Sequence, residues 1–456
     1  MTHTLPPYPH TKPSGIDWLG DVPEHWQVRR LKTVASNVNE QTSEKQPGER
    51  YIALENVESW TGKLHLSKSE IEFDSQVKRF KKGDILFGKL RPYLAKVVQP
   101  QVDGVCVGEF FVLRAETRML NSSYLENLLR SKPVIDEIDS STFGAKMPRA
   151  NWTFVGGVNI PLPPPAEQAA IVRYLDDADA RIRRVIRARE KQLALLTEYK
   201  QALIERVVTG QIDVRHCAGD RWDGTGDRPV APTRYPHYRP SGIEWLGDVP
   251  AHWEVRRLGS LGKLSKGNGG TKADNVLTGV PCIRYGELYT KYRFFVETAH
   301  SFISPERASD YTSIEYGDVL FAGSGETIEE IGKSAVNLIR GKAVCGGDVL
   351  VFKPSERFVP RFLGYVSDCP QSVAQKSSMG RGFTVVHIYG DKLKNLWIAI
   401  PPIAEQEAIV RYLDAQTGKI ERATAAIRRE IDLLKEYRTR LIADVVTGKI
   451  DVRAMM

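Results

Sequence analysis

The sequence contains few cysteines and no long apolar run. Its five cysteines are odd in number and form no Cys-x-x-Cys pair, which argues against both a disulfide framework and a zinc site. No segment approaches the roughly 18 consecutive apolar residues of a membrane span, and the N-terminus lacks the apolar core of a signal peptide. These absences predict a protein of the reducing cytoplasm that is neither exported nor membrane-embedded.

The motifs of common catalytic sites are also missing. The sequence contains no Gly-x-Gly-x-x-Gly, His-Glu-x-x-His or Gly-x-Ser-x-Gly, and no Asn-Pro-Pro-aromatic motif of amino-methyltransferases. The segment GSGETIEEIGKSA at Gly323 resembles a phosphate loop, but Thr327 stands where that motif requires glycine. His25 and His252 each precede a tryptophan, which indicates a packing motif rather than a metal site. The sequence therefore predicts no catalytic, metal or cofactor site in this chain.

The sequence does contain a duplication. Residues 8–31 and 235–258 match at 19 of 24 positions, and both contain Trp-Leu-Gly-Asp-Val-Pro-x-His-Trp. AEQAAIVRYLD at Ala166 returns as AEQEAIVRYLD at Ala404, and TGQIDVR at Thr209 returns as TGKIDVR at Thr447. The segments between these markers have diverged almost completely. This pattern predicts two copies of one scaffold that carry different recognition surfaces.

Composition is compatible with two folded domains and a polyanionic partner. The 456 residues are 41% hydrophobic and 26% charged, which is typical of globular proteins. The net charge is +8, and each divergent segment, 27–160 and 254–398, carries a net charge of +4. An ordinary solvated surface explains so small an excess equally well, so the charge favours a nucleic acid without establishing it.

The divergent segments show short apolar runs and frequent glycines, which are typical of a mixed α/β domain. GDILF at Gly83 and GDVLF at Gly317 predict equivalent strands, so one fold persists beneath the divergence. Cys106 and Cys345 lie within similar apolar runs and are predicted to be buried as small hydrophobic residues.

Each divergent segment ends in a proline cluster that predicts the start of a long helix. Apolar residues then recur every three or four positions over roughly 43 residues, or about 60 to 65 Å, up to Gly210 and Gly448. Such a narrow stripe predicts an antiparallel coiled coil of the two helices; two helices that each lie on their own domain are the alternative. The predicted seam comprises Ile171, Leu175, Ile182, Leu193, Leu196, Leu203, Ile409, Leu413, Ile420, Ile427, Leu434 and Leu441.

The domain boundaries follow from these markers. The glycine-rich, aperiodic segment 216–234 predicts an exposed linker between the halves. The predicted order is a first recognition domain (1–165), a first helix (166–209), a linker (210–234), a second recognition domain (235–403), a second helix (404–448) and a tail (449–456).

These motifs resemble those of the specificity subunit of type I restriction-modification systems. The resemblance rests on the two Ser-Gly-Ile-x-Trp-Leu-Gly-Asp-Val-Pro segments, the two Gly-Asp-x-Leu-Phe strands and the two Pro-Pro-x-Ala-Glu-Gln helix starts, and it covers nearly the whole chain. It implies two target recognition domains that each read half of a bipartite, asymmetric sequence in double-stranded DNA. It also implies that two methyltransferase subunits using S-adenosylmethionine and a motor nuclease using ATP and Mg²⁺ perform the chemistry, while this chain binds no cofactor.

Family position also suggests which loops read DNA. They are the loop after each Gly-Asp-x-Leu-Phe strand and the loop before each proline cluster, where polar and cationic side chains can reach bases and phosphates. The candidates are Lys89, Arg91, Tyr93, Lys96, Thr142, Lys146, Arg149 and Asn151 in the first half, and Ser324, Glu326, Lys333, Lys376, Arg381 and Thr384 in the second.

Two other classes of function remain open at this point. The chain could be a coiled-coil scaffold whose domains bind proteins without DNA specificity, or a nuclease or methyltransferase with unrecognised motifs. The paired signatures and the matched basic charge favour DNA recognition over the scaffold. The absence of catalytic motifs disfavours an enzyme.

Overall fold

The computed structural model describes residues 6–66, 76–142, 144, 146–217, 231–270, 272–382 and 385–453. Contacts divide the chain into two compact units, which are described separately below. The first unit contains residues 1–190 and 428–456, and the second contains residues 191–427. Because residues 428–456 join the first unit, that unit is assembled from both ends of the chain.

The first unit is a mixed α/β domain. Its helices are α1 (Ser122–Leu129), α2 (Lys132–Ser140), α3 (Trp152–Val155) and the start of α4 (Pro165–Val208). Short 3₁₀ turns cover Leu31–Thr33, Leu54–Asn56 and Pro92–Leu94. Its strands are β1 Thr11–Pro13, β2 Asp21–Pro23, β3 Gln27–Arg30, β4 Ala35–Val38, β5 Gln41–Thr42, β6 Arg50–Ile52, β7 Val77–Phe80, β8 Ile85–Gly88, β9 Val97–Val98, β10 Gly104–Val107, β11 Phe110–Ala115 and β12 Asn159–Leu162.

Two four-stranded sheets form the body of this domain. One has the antiparallel order β4-β11-β8-β9, and the other has the order β5-β7-β10-β6, in which β6 runs parallel to β10. The predicted strand of GDILF is β8, which is fully buried. A separate pair, β3 with β12, places the strand after the opening motif beside the strand that leads into α4. The start of α4 is therefore held next to the strand that follows the opening motif.

The second unit repeats this plan with wider sheets. Its helices are α5 (Leu258–Leu261), α6 (Tyr285–Thr290), α7 (Pro360–Ser367), α8 (Pro370–Met379), α9 (Gly390–Leu393) and the start of α10 (Ile403–Val446), with 3₁₀ turns at Lys272–Asp274 and Pro305–Asp310. Its strands are β13 Tyr238–Pro240, β14 Asp248–Pro250, β15 Glu254–Arg257, β16 Gly262–Lys266, β17 Asn275–Val276, β18 Val280–Ile283, β19 Phe294–Val296, β20 Ser301–Ile303, β21 Thr312–Ile314, β22 Val319–Ala322, β23 Ser324–Gly325, β24 Ser334–Asn337, β25 Ala343–Cys345, β26 Val349–Pro354, β27 Val386–His387 and β28 Trp397–Ile400.

The sheets of the second unit share their central strand order with those of the first but are extended by strands at other edges. The orders are β16-β26-β22-β24-β19 and β17-β20-β18-β25-β21, and β15 pairs with β28 as β3 pairs with β12. β22 carries GDVLF and is fully buried, as β8 is. Cys106 and Cys345 are buried in β10 and β25, so both predictions for these thiols are confirmed, and burial raises the pKa of each to about 12. The prediction of a mixed α/β fold in tandem repeat is confirmed.

The Gly-Asp dipeptide before β8 and β22 forms a turn. Gly83 and Gly317 have φ of +90° and +95°, a region that favours glycine. The aspartate that follows each glycine accepts a hydrogen bond from the backbone N–H three residues earlier. The Lys81 N–H donates to Asp84 at 2.8 Å, and the Glu315 N–H donates to Asp318 at 2.8 Å. The repeated motif is therefore a structural turn that sets the direction of the central strand.

Both long helices contain 44 residues, or about 66 Å at 1.5 Å per residue. Within the first unit, Asp179 pairs with Arg438 and Arg189 pairs with Glu430, so the start of α4 runs antiparallel to the end of α10. Within the second unit, Lys200 pairs with Glu421. The predicted antiparallel packing of the two helices is confirmed by these contacts.

The apolar stripe packs against the globular cores as well as against the partner helix. Ile171 and Leu175 of α4 and Leu441 of α10 belong to one buried cluster with the core of the first domain. Leu203, Ile409 and Leu413 belong to the core of the second. Of the predicted seam, nine residues are buried, and Leu193, Leu196 and Leu434 are half-buried. Each globular core is thus completed by the start of one helix and the end of the other.

A buried glutamate joins each opening motif to the first turn of a long helix. Glu167 Oε1 accepts hydrogen bonds from the Tyr8 hydroxyl at 2.6 Å and from Trp26 Nε1 at 3.1 Å, and His25 Nε2 lies 2.7 Å from Oε2. Burial and the carboxylate together raise the pKa of Tyr8. The histidine predicted to be a packing residue therefore also bonds a carboxylate.

The second unit contains the same network. Glu405 accepts from the Tyr235 hydroxyl and from Trp253 Nε1 at 3.1 Å, and His252 Nε2 lies 2.9 Å from its other oxygen. The neighbouring glutamine is also buried and bonded, since Gln406 Oε1 accepts the backbone N–H of Val359. The repeated Ala-Glu-Gln is therefore a docking element for the domain that precedes it.

The Thr-Gly-x-Ile-Asp-Val-Arg segments return to the opening motifs. In the first unit, Gly448 lies so close to Pro23 that an added Cβ would meet its Cδ at 2.4 Å. The Arg453 guanidinium lies 4.9 Å from the centre of the Tyr8 ring. In the second unit, Gly210 lies equally close to Pro250. The segment after each helix thus docks on the motif that opens the other half of the sequence.

We expect Glu167→Leu to destabilise the first unit. The substitution leaves the buried Tyr8 hydroxyl and Trp26 N–H without their acceptor, at a cost of about 2–5 kcal/mol. Urea unfolding should show a lower midpoint for this variant, whereas Glu190→Leu, at an exposed position of the same helix, should match the wild type. Equal midpoints for all three proteins would contradict a structural role for the carboxylate.

Candidate nucleic-acid interface

The two loops predicted to read DNA in the first domain lie side by side. The Ala150 N–H donates to the Lys89 carbonyl at 2.9 Å, and the Arg91 N–H donates to the Pro148 carbonyl at 2.8 Å. Leu90 and Arg149 form an isolated antiparallel bridge between them. Segments about 60 residues apart in sequence are thereby joined into one surface, which is called the first loop pair below.

The cations of the first loop pair differ in whether their charged groups are already bound to other residues of the domain. Lys89 Nζ donates to the Gly108 carbonyl at 2.5 Å, and Lys96 Nζ donates to the Leu54 carbonyl at 2.6 Å. Arg149 pairs with Glu109 at 2.8 Å but remains exposed. Arg91 and Lys146 are exposed without an ion pair among the described residues. These two have the most freedom to contact a ligand.

Backbone strain is concentrated at this site. Arg91 has φ of +52° and Ala95 has φ of +47°, although neither is glycine. The two residues flank the turn Pro92–Leu94, where Tyr93 is 43% exposed. Left-handed conformations of non-glycine residues cluster at functional sites because the surrounding structure must impose them. The turn therefore presents Arg91 and Tyr93 in an enforced geometry.

Two other predicted residues have structural roles. The Thr142 hydroxyl donates to the Asp139 carbonyl at 2.8 Å near the end of α2. Asn151 caps α3 by accepting the Thr153 N–H at 2.7 Å. Sequence reasoning missed Lys78, which lies buried beneath the loop and donates to the Phe110 carbonyl at 3.1 Å. Burial, followed by the charge of Lys89, lowers the pKa of Lys78 to about 8.

The second domain joins its two predicted loops in the same way. β23 pairs with β27, so Ser324 lies opposite His387, and the Ser324 hydroxyl lies 3.0 Å from His387 Nδ1. The Ile388 N–H donates to the Gly323 carbonyl at 2.9 Å. This surface is called the second loop pair. Both domains therefore place divergent loops at one equivalent position.

Lys376 lies inside the second unit and has no exposed surface, which corrects its predicted place on a surface loop. Its ammonium donates to the carbonyls of Gly332 and Ser367 at 2.7 and 2.8 Å and lies 3.2 Å from Asp368. Burial lowers the pKa of Lys376. Its charge ties the two loops together because buried ammonium groups need such partners.

The other candidates of the second loop pair vary in exposure. Lys333 pairs with Asp368 at 2.8 Å, and Ser324 is buried. Glu326 and Arg381 are exposed, and Thr384 lies outside the described residues. Exposed Ile328, Val385 and Tyr389 were not predicted, although their apolar character next to a glycine-rich loop was visible in the sequence.

These surfaces can form hydrogen bonds and ion pairs with a polar or charged ligand. In the ranges given above, no three His, Cys, Asp or Glu side chains are grouped to hold a metal ion. None of the helices in that part of the chain combines the length and apolar character of a membrane span. Exposed arginine, lysine and tyrosine on strained loops are groups that can contact phosphates and base edges.

Comparison with known families gives two matches to one domain. The family model of the type I restriction modification DNA specificity domain matches residues 23–194 and residues 250–432. The matches begin in the opening motifs and end within the long helices, so each contains one loop pair.

Individual relatives are similar at low identity. The putative type I restriction enzyme MjaX specificity subunit of Methanocaldococcus jannaschii is 22% identical over 461 residues, covering 95% of this chain and 96% of that protein. The EcoDI specificity subunit of Escherichia coli is 24% identical over 197 residues, covering 42% of this chain and only 44% of that protein.

Solved structures share the fold. A chain from a study of the assembly and conformational transition of a type I R-M system aligns over 94% of this chain and 99% of its own length, with a TM-score of 0.70 and 20% identity. The HsdS subunit of Thermoanaerobacter tengcongensis aligns over 94% and 98%, with a TM-score of 0.52 and 22% identity.

We expect Lys376→Met to loosen the second loop pair. Removing the ammonium leaves the carbonyls of Gly332 and Ser367 without this donor in the interior, while Asp368 keeps its ion pair with Lys333; each unmet acceptor costs about 1–3 kcal/mol. Hydrogen exchange of the segments 323–334 and 376–388 should accelerate. Lys263→Met, on an exposed strand of the same unit, should leave exchange unchanged, and wild-type protection in the Lys376 variant would refute the anchoring role.

Proposed function

Because this chain belongs to the family of type I restriction modification DNA specificity domains, we propose that it is the DNA-binding specificity subunit of a type I restriction-modification complex. Each globular domain reads one half of a bipartite, asymmetric sequence in double-stranded DNA. The chain selects the site, and partner subunits carry out methylation or cleavage.

One observation carries this proposal. Both domains place a pair of divergent loops at the same position on equivalent sheets, while the residues that dock the helices are repeated almost unchanged. In the first loop pair the exposed groups include Arg91, Tyr93 and Lys146, and in the second they include Glu326 and Arg381. Different side chains at one position of a common frame are what two unlike half-sites require.

The side-chain chemistry supports recognition of DNA in both domains. Arginine and lysine bind guanine edges and phosphates, whereas a carboxylate accepts a hydrogen bond from the cytosine amino group. Arg91, Arg149 and Arg381 can therefore act as base readers or phosphate anchors. Glu326 can select cytosine and repel phosphate, so its presence favours base contact over backbone contact in the second domain.

The proposed partners follow from the same assignment. Two methyltransferase subunits that use S-adenosylmethionine modify adenine N6 in the two half-sites, and a motor nuclease that uses ATP and Mg²⁺ cleaves unmodified DNA. This chain contributes no catalytic group and holds no cofactor. Curated relatives named as specificity subunits of type I restriction enzymes support this division of labour.

Co-expression with the cognate methyltransferase subunit should produce N6-methyladenine at one bipartite motif. Single-molecule sequencing of a host genome that lacks other adenine methyltransferases would reveal this motif. Deletion of this chain should abolish the modification. An active methyltransferase that leaves no sequence-specific methylation would refute the proposed function.

Charge reversal at Arg91 and Lys146 should impair recognition through the first domain. Each lost base contact costs about 1–3 kcal/mol, and each lost phosphate contact reduces the salt slope of binding by about 1. Affinity of the assembled methyltransferase for a duplex with the methylated motif would be measured at several salt concentrations. Reversal of Lys32 and Arg118, which are exposed elsewhere in the same domain, serves as the control; equal losses in both variants would exclude a specific role for the loop pair.

A further inference from the structure

The first unit contains a groove that no functional assignment uses so far. It has a volume of about 960 Å³ and lies between the first domain, the start of α4 and the end of α10. Seven cationic and three acidic side chains line it, and four of the cations are paired with the adjacent carboxylates of Glu126, Asp136 and Asp179. Its principal lining residues are Trp60, Lys63, Arg130, Lys132, Arg187 and Lys435, and it is called the basic groove below.

Several of these cations are available to a ligand. Lys63, Arg187 and Lys435 are exposed and form no ion pair with a carboxylate in the described part of the chain. Arg130 is almost fully buried at the wall, where it pairs with Glu126 at 2.7 Å. Burial lowers the pKa of Arg438 beside it, and the charges of Arg130 and Arg183 lower it further although Asp179 opposes them. Among the described residues, the cations of the groove that no carboxylate pairs are therefore Lys63, Arg187 and Lys435.

The wall of the basic groove continues into the first loop pair. The Trp60 N–H donates to the Ala95 carbonyl at 3.4 Å, which joins the wall to the strained segment 91–95. α2, which begins at Lys132, packs against the turn Pro92–Leu94. Trp60 itself has φ of +64°, so its backbone is also held in an enforced geometry. The wall of the basic groove is therefore in direct contact with the segment that carries the exposed Tyr93 of the first loop pair.

Most of the helix cations of the groove are not part of the repeated scaffold, although Arg438 corresponds to Lys200. The two long helices align with an offset of 238 residues, so the groove positions Arg183, Arg187 and Lys435 correspond to Glu421, Ala425 and Thr197. In the second unit, Arg361 at the comparable site is already paired with Glu297 at 2.7 Å and with Asp414 at 2.8 Å. Helix packing alone needs none of these cations, since the second unit packs its helices without them.

We propose that the basic groove binds the phosphate backbone of the duplex on which the first loop pair reads its half-site. This inference rests on the proposed function and extends it to a second contact surface found in one domain only. Duplex DNA presents a negative charge about every 1.7 Å along its axis, which matches exposed cations distributed along a groove. Continuity with the loop pair favours DNA over an acidic segment of a partner protein.

The test uses the full chain assembled with its methyltransferase subunits and a fluorescent duplex that carries the methylated motif. In the variant Lys63→Gln, Arg187→Gln, Lys435→Gln, the plot of log affinity against log salt should become shallower by about 2 to 3 units, since each phosphate contact contributes about 0.9. The methylated sequence should stay the same because these cations read no bases. The charge-conserving variant Lys63→Arg, Arg187→Lys, Lys435→Arg should retain the wild-type slope, which controls for folding.

The matched control is the variant Lys12→Gln, Lys32→Gln, Arg118→Gln, which loses the same charge from exposed positions outside the groove. Its slope should stay near the wild-type value. A wild-type slope in the groove variant, or an equal change in this control, would overturn the proposal. A third outcome would also overturn the proposal. If the groove variant assembles poorly with the methyltransferase, and the fraction that does assemble keeps the wild-type slope, the ligand of the basic groove is a protein. Absence of any methylated motif for the wild type would instead refute the proposed function.

Discussion

The carboxylate of Glu167 accepts hydrogen bonds from Tyr8 and Trp26, and Glu405 accepts the equivalent bonds from Tyr235 and Trp253. Each buried charge is acceptable only because several donors surround it, so the opening motif and the helix start must come together or both lose stability. The strand pairs β3 with β12 and β15 with β28 hold the same junctions. These contacts fix the orientation of each domain relative to the start of its long helix. The orientation of the loop pair on that domain is fixed as a result.

A fixed frame allows the loops to diverge. The sheets keep a common central strand order and the Gly-Asp turns keep their geometry, whereas the loops that follow β8 and β22 share almost no sequence. The first loop pair is held by Lys89 and Lys96 through backbone carbonyls, and the second by the buried Lys376 and Asp368. The two loop pairs are thus anchored by different residues, and different side chains remain exposed in each. One fold can therefore present two recognition surfaces.

The sequence predicted the parts of this structure that repeat or have a period. The mixed α/β fold, the central strands of GDILF and GDVLF and the two long helices follow from the duplication and the heptad-like stripe, whereas the adjacency of the two loops in each domain was not predicted. Burial of Lys376 was not predictable, because nothing in a polar segment of the sequence distinguishes a lysine that faces solvent from one that faces a buried aspartate. The role of Glu167 was missed although its recurrence as Glu405 was visible, since hydrogen-bond partners over 140 residues away leave no local pattern. The basic groove combines four segments distant in sequence, so no window along the chain contains it.

The docking of Thr-Gly-Lys-Ile-Asp-Val-Arg onto the first opening motif has a consequence for biosynthesis. The second unit is a single continuous stretch of chain, residues 191–427, whereas the first unit needs residues 428–453 to cover Tyr8 and complete its core. A ribosome therefore releases every residue of the second unit before it supplies the last helix turns of the first. The domain that is translated first is the one that closes last, because its apolar surface stays exposed until residues 428–453 have been synthesised.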